Sequence, residues 1–182
     1  MEILKIRTLD KKRIVPEIQK GSIFIYPTDT LYGIGCNALK KESVEKIRTL
    51  KNTDHPFSVI APSKKWIHEN LRLKHTEFLE KLPGPYTLIF EKKKKDFLKE
   101  CSETGKLGIR IPDHIFTALI QKSGVPFVTT SANVSGHPPI KKISELPLAF
   151  KENIDFAIDG GPATNQPSTI FDLTGETPKK IR

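Results

Sequence analysis

One pattern restricts this chain more than any other, and it recurs five times. A short hydrophobic run meets a stretch of hydroxyl, amide or basic residues set beside Pro or Gly. The stretches are Tyr26–Gly33 (YPTDTLYG), Pro83–Thr87 (PGPYT), Gly108–Pro112 (GIRIP), Thr129–Gly136 (TTSANVSG) and Gln166–Ile170 (QPSTI). Any one of them is ordinary turn chemistry. Five together predict strands whose ends converge on one polar cavity, because α/β sheets bind ligands at strand ends. Small hydroxyls and backbone N–H groups beside Gly or Pro are good donors to phosphate and carboxylate.

The segments between them set the fold class. Ser22–Tyr26, Phe57–Ala61, Tyr86–Phe90, Leu107–Ile111 and Val125–Thr130 read as strands. Asp155–Ile158, Ser168–Asp172 and Lys179–Arg182 continue the series. Glu42–Leu50 carries Val44, Ile47 and Leu50 at helical spacing, and Lys64–Leu82 reads as one or two amphipathic helices. A helix is predicted up to Lys122, with Asp113 as its cap. Strands alternate with helices early and follow one another late. That order predicts an α/β (α+β) fold with a mixed sheet flanked by helices, not a doubly wound parallel sheet. No repeat or linker divides the 182 residues, so one domain over 1–182 is expected, with no additional C-terminal domain.

Composition excludes several classes. No apolar run is long enough to span a bilayer, and Met1–Leu9 alternates apolar with charged residues rather than resembling a signal peptide. A cytoplasmic location without a membrane partner is therefore expected. The two cysteines, Cys36 and Cys101, and five scattered histidines offer no structural metal site or disulfide framework; Cys36 reads as a small buried thiol. No Walker-type or G-x-G-x-x-G loop is present, nor a G-x-S-x-G elbow, so nucleotide binding needs another architecture and nucleophilic catalysis has little support. The net charge of +9 favours anionic partners. The run Lys92–Lys95 fits either a solvated hairpin loop or a phosphate-tracking surface.

The polar stretches resemble, in order and over nearly the whole chain, the motifs of the YrdC-like family. Tyr26–Ala38 resembles P-T-D/E-T-x-Y-G and its continuation, and Lys51 followed by His55-Pro56-Phe57-Ser58 resembles the family's lysine-centred loop. The later stretches are similar to P-G-P-x-T, G-x-R-x-P, T-S-A-N-x-S-G and S-T-I/V-x-D, and Arg182 matches the arginine that usually follows. The resemblance implies a twisted mixed sheet with a deep basic concave face. It also implies threonylcarbamoyl-AMP synthesis from ATP, L-threonine and bicarbonate, with Mg²⁺ arriving on the ATP. A partner in the t6A transfer machinery would then modify adenosine 37 of tRNA. In this scheme Lys51 and Arg110 are the catalytic residues. Lys51, Thr53, Ser131, Asn133, Ser135 and Arg182 bind ATP. Thr30, Tyr32, Thr87, Arg110 and Ser168 bind threonine.

The lysine loop departs from the family pattern. It reads Lys51-Asn52-Thr53-Asp54-His55-Pro56, so Thr53 stands where K-x-R-P has its arginine, and Ile60 stands where a threonine-binding histidine is usual. Threonine cannot replace a guanidinium fork, which predicts weaker ATP binding unless Arg48, about one helical turn before Lys51, supplies the cation. These departures resemble the YciO-like branch. The alternative expectation is a non-catalytic tRNA- or double-stranded-RNA-binding protein of the same fold; a third is a related enzyme with a different substrate.

Overall fold

The computed structural model describes residues 1–182. In chain order the elements are β1 (Glu2–Lys5), α1 (Lys11–Lys20), β2 (Phe24–Tyr26), β3 (Gly33–Gly35), α2 (Lys41–Lys51), β4 (Ser58–Ile60), α3 (Lys64–Asn70) and β5 (Leu71–Arg72). They continue with β6 (Tyr86–Lys92), β7 (Lys106–Arg110), α4 (Ile115–Ser123), β8 (Phe127–Ser131), α5 (Leu148–Asn153), β9 (Phe156–Asp159), β10 (Thr169–Asp172) and β11 (Lys179–Lys180). The strands form one mixed sheet in the order β1-β9-β2-β3-β8-β4-β7-β6-β10-β11, with β5 paired to β6. The expected mixed sheet flanked by helices is present.

Two apolar layers hold the sheet. The larger core includes Ile25, Ile34, Val59, Leu88, Ile109 and Val128 from the strands, with Val44 and Ile47 of α2 and Phe150 of α5. The smaller core is aromatic: Phe24, Tyr26, Phe116, Phe127 and Phe156 surround Ile14 and Ile18 of α1 and Ile120 of α4. Phe24 stacks on Phe156 at 5.0 Å and Tyr26 on Phe116 at 4.7 Å. Helices α1 and α4 pack together on this side. Because strand side chains alternate, Ser58 points to the same face as Ile60, which belongs to the aromatic core. The helix pair thus covers part of that face, and Ser58 lies beyond its edge on the floor of an open cavity.

Several expectations shift. The predicted helical stretch Lys64–Leu82 divides into α3, the two-residue strand β5 and a 3₁₀ turn over Thr76–Lys81. Asp113 is not the cap of α4: His114 is, its Nδ1 accepting the Phe116 N–H at 3.3 Å. The backbone N–H of Asp113 instead donates to Asp29 Oδ2 at 3.0 Å. Lys92–Lys95 is a turn at the end of β6 remote from Thr87. Lys92 is buried there with Nζ on the Ser102 carbonyl, and Lys93 donates to the His68 carbonyl. This is not a phosphate-tracking surface at the cavity. Cys36 is buried, and burial pushes its thiol pKa well up.

Candidate functional site

The cavity, about 390 Å³, crosses six consecutive strands, β3-β8-β4-β7-β6-β10. Each of the five polar stretches supplies part of its wall. Thr28 and Thr30 to Gly33 come from the β2–β3 turn and the start of β3, Thr87 from β6, Arg110 from β7, Thr129 to Ser131 from β8, and Pro167, Ser168 and Ile170 from the entry to β10. The convergence follows from register: Gly33 pairs with Ser131, Ser58 with Thr129, and Ile60 with Arg110. Residues far apart in the chain become neighbours in one row of the sheet.

Arg110 dominates the cavity. Its Nη2 donates to Asp29 Oδ1 at 2.9 Å and Thr30 Oγ1 at 3.1 Å, while its Nε is buried without a hydrogen-bond partner. The two charged side chains are only 11% and 10% exposed. Burial lowers the Arg110 pKa and the Asp29 carboxylate opposes that shift. An orphaned buried donor is costly in a native protein, which fits a site completed by an anion. Beside it the Thr87 and Ser168 hydroxyls bond to each other at 2.9 Å. Arg182 reaches Ser168 from the rim, with Nε on its carbonyl at 3.0 Å and Nη2 on its hydroxyl at 3.4 Å. Thr30, Thr87, Arg110, Ser168 and Arg182 therefore line one cavity, with Ser131 across it.

Other expected contacts fall differently. Tyr32 reaches the cavity wall, but its hydroxyl accepts the Gly160 N–H at 3.0 Å and donates to the Gly161 carbonyl at 2.7 Å. It therefore anchors the 160–168 connection instead of presenting a free hydroxyl. Asn165 adds a second anchor, donating to the Asp29 carbonyl at 2.8 Å. Lys51 is 4% exposed and lies behind the cavity wall. Its ammonium donates to the carbonyls of Ser131 at 2.6 Å and Asn133 at 2.8 Å, with Asn133 Oδ1 at 3.4 Å. Its own carbonyl accepts the Ser135 N–H at 2.8 Å. Burial lowers the Lys51 pKa to about 8. Asn133 spends its amide on the Val134 and His137 carbonyls, and Ser131 donates to Asn133 Oδ1. Lys51 and Asn133 thus form a clamp that shapes the Ser131 turn, and Ser135 joins it through its backbone N–H.

Thr53 and Arg48 lie outside the cavity. Thr53 Oγ1 accepts the His55 N–H, and Thr53 and Arg48 face a separate surface groove. The Arg48 guanidinium donates to the carbonyls of Thr53, His55 and Glu100 and stacks 4.4 Å from the Phe57 ring centroid. It shapes the lysine loop and does not replace the missing arginine in the cavity. Ile60, fully buried in the aromatic core, does not line the cavity either. Sequence reasoning gave no site role to Ser58, Thr129 or Asp29. A hydroxyl between Phe57 and Val59 in an apolar strand was the available signal for Ser58, and the acidic residue between two threonines was the signal for Asp29. No group of three or more His, Cys, Asp or Glu gathers to hold a metal ion.

Fold and site together define an α/β domain with a polar, arginine-bearing cleft suited to a small anionic ligand. The chain belongs to the Sua5/YciO/YrdC family, whose model, described as telomere recombination, matches residues 17–182. A Methanocaldococcus jannaschii protein, named as a candidate threonylcarbamoyl-AMP synthase, is 32% identical over 100% of this chain and 91% of its own length. The structure of P. abyssi Sua5 complexed with L-threonine superposes with a TM-score of 0.87 at 26% identity. That match covers 100% of this chain and 57% of that one, so the present chain spans little more than half of the P. abyssi protein. E. coli YciO shares the fold, with a TM-score of 0.84 at 23% identity, over 100% of this chain and 93% of that one.

Proposed function

We propose that the protein is a threonylcarbamoyl-AMP synthase. L-Threonine, bicarbonate and ATP give threonylcarbamoyl-adenylate, pyrophosphate and water, and the product is consumed in t6A modification of tRNA. The threonine amine attacks the bicarbonate carbon, a C–N bond forms and water leaves. A carbamate oxygen then attacks the α-phosphorus of ATP in line, and the bond to pyrophosphate breaks. Such a reaction asks a protein mainly to hold its reactants together and to offset developing phosphate charge. A cleft of hydroxyls and guanidinium groups without a nucleophile suits that task.

The unpartnered Nε of Arg110 carries the reading, because it offers a buried donor for the threonine carboxylate. Thr30, Thr87 and Ser168 flank it. Ser131 and Arg182, at the other end and the rim, face the nucleotide, and Lys51 adds its charge from behind the Ser131 turn. Mg²⁺ enters with the phosphates, since such ions keep several waters and need few protein ligands. With Thr53 outside the cavity, the cationic lining is reduced to Arg110 and Arg182, and ATP affinity is correspondingly modest.

The test is pyrophosphate release from ATP with threonine and bicarbonate. Threonine-dependent release is expected, and Arg110→Ala should abolish that dependence. Absence of threonine-dependent release by the intact protein, with tight salt-sensitive binding of double-stranded RNA, would replace this reading with the RNA-binding one.

A further inference from the structure

The floor of the cavity holds a side chain that the assignments above leave unused. Gly108 and Arg110 stand two residues apart on β7 and point to the same face. A Cβ on Gly108 would lie 2.6 Å from Ser58 Oγ and 3.4 Å from the Thr87 methyl carbon. Only a residue without a side chain lets Ser58 lean over β7 here. The Ser58 hydroxyl is thereby set on the floor beside the Thr87 methyl. Among the neighbouring floor hydroxyls, Thr87 and Ser168 satisfy each other, and Thr129 accepts the Tyr26 O–H at 2.8 Å. The Ser58 hydroxyl makes no hydrogen bond within the protein and is open to the cavity.

The geometry points to Ser58 as the residue that reads the side-chain hydroxyl of the amino-acid substrate, with the Thr87 methyl receiving its methyl group. This deepens the synthase reading and rests on it. Ser58 and Arg110 stand on adjacent paired strands two register positions apart, because Ile60 is opposite Arg110. A small amino acid bridges Arg110 and Ser58, its carboxylate at the first and its β-substituents at the second. A β-carbon bearing both a hydroxyl and a methyl group meets a hydroxyl and a methyl in the floor. The Thr87 hydroxyl, held by Ser168, keeps its methyl turned toward the ligand.

The experiment compares threonine with 2-aminobutyrate, which has the same carbon skeleton without the hydroxyl. Pyrophosphate release is measured for the wild type and Ser58→Ala. The wild type should prefer threonine, and Ser58→Ala should reduce that preference about tenfold, the worth of one hydrogen bond to a partly enclosed hydroxyl. A threonine-to-2-aminobutyrate ratio of kcat/KM that stays within about twofold of wild type overturns the assignment of Ser58 while leaving the synthase reading intact. A wild type that turns over neither amino acid overturns the synthase reading itself and Ser58's role with it. Ser58 is partly exposed, so folding of the variant is not at stake; circular dichroism of Ser58→Ala checks this directly.

Discussion

Lys51 keeps an ammonium group almost out of water with carbonyl oxygens as its acceptors. Burial alone drives its pKa down to about 8. Its NMR titration should therefore have a midpoint near 8, and a midpoint in the ordinary lysine range would show that the clamp is open in solution. The sign of the stability effect follows. The unfolded chain holds this proton more tightly than the folded one, so between about pH 8 and about pH 10.4 this group makes stability rise with pH. Urea denaturation at about pH 7.5 and about pH 9.5 should show that slope, reduced in Lys51→Met. Arg110 and Asp29 present the opposite case, a nine-tenths-buried pair whose charges offset each other. Arg110→Met leaves the carboxylate alone and should cost about 3 kcal/mol in denaturation. Arg110→Met combined with Asp29→Leu should recover part of that loss, because the stranded charge is gone.

At the scale of elements, strands with several consecutive apolar residues could be read from the chain, and short or interrupted ones could not. β6 and β7 follow the expected hydrophobic runs, whereas β3 is Gly-Ile-Gly and has no alternation to display. Helix α1 carries Pro16 in its interior, which obscures it as a helix although Asp10 caps it through the Lys12 N–H. The polar motifs located the cavity but could not say which side of a turn each residue occupies. Thr30 and Arg110 meet across it, while Thr53 and Asn133 spend their polar atoms on their own loops. The misplaced cap at Asp113 has the same origin: Asp29, remote in sequence, takes its N–H. Gly35 of β3 is a steric requirement. A Cβ at Gly35 would sit 1.9 Å from the Val128 carbonyl oxygen and 2.6 Å from Phe127 Cε1, so Gly35→Ala should lower stability by about 3 kcal/mol in thermal or urea unfolding.

Across the whole molecule, the cavity belongs to no single motif. Its rows combine β3 with β8, β4 with β7, and β6 with β10, pairs separated by tens of residues to nearly a hundred. Ligand affinity is thus tied to the cooperative fold. Saturating threonine together with a non-hydrolysable ATP analogue should raise the melting temperature of the wild type, by the amount mass action dictates for a ligand that binds only the folded state. The same mixture should shift Arg110→Ala far less. Unequal shifts would trace the stabilisation to the cleft, and equal shifts would place the ligands elsewhere.

The connection pinned by Tyr32 and Asn165 leads directly into β10, which supplies the final wall. During synthesis the growing polypeptide therefore has no finished cleft until that late strand docks beside β6. An occupied cleft would then report that β10 has docked, and small molecules already in the cell would act as the latch that holds it there.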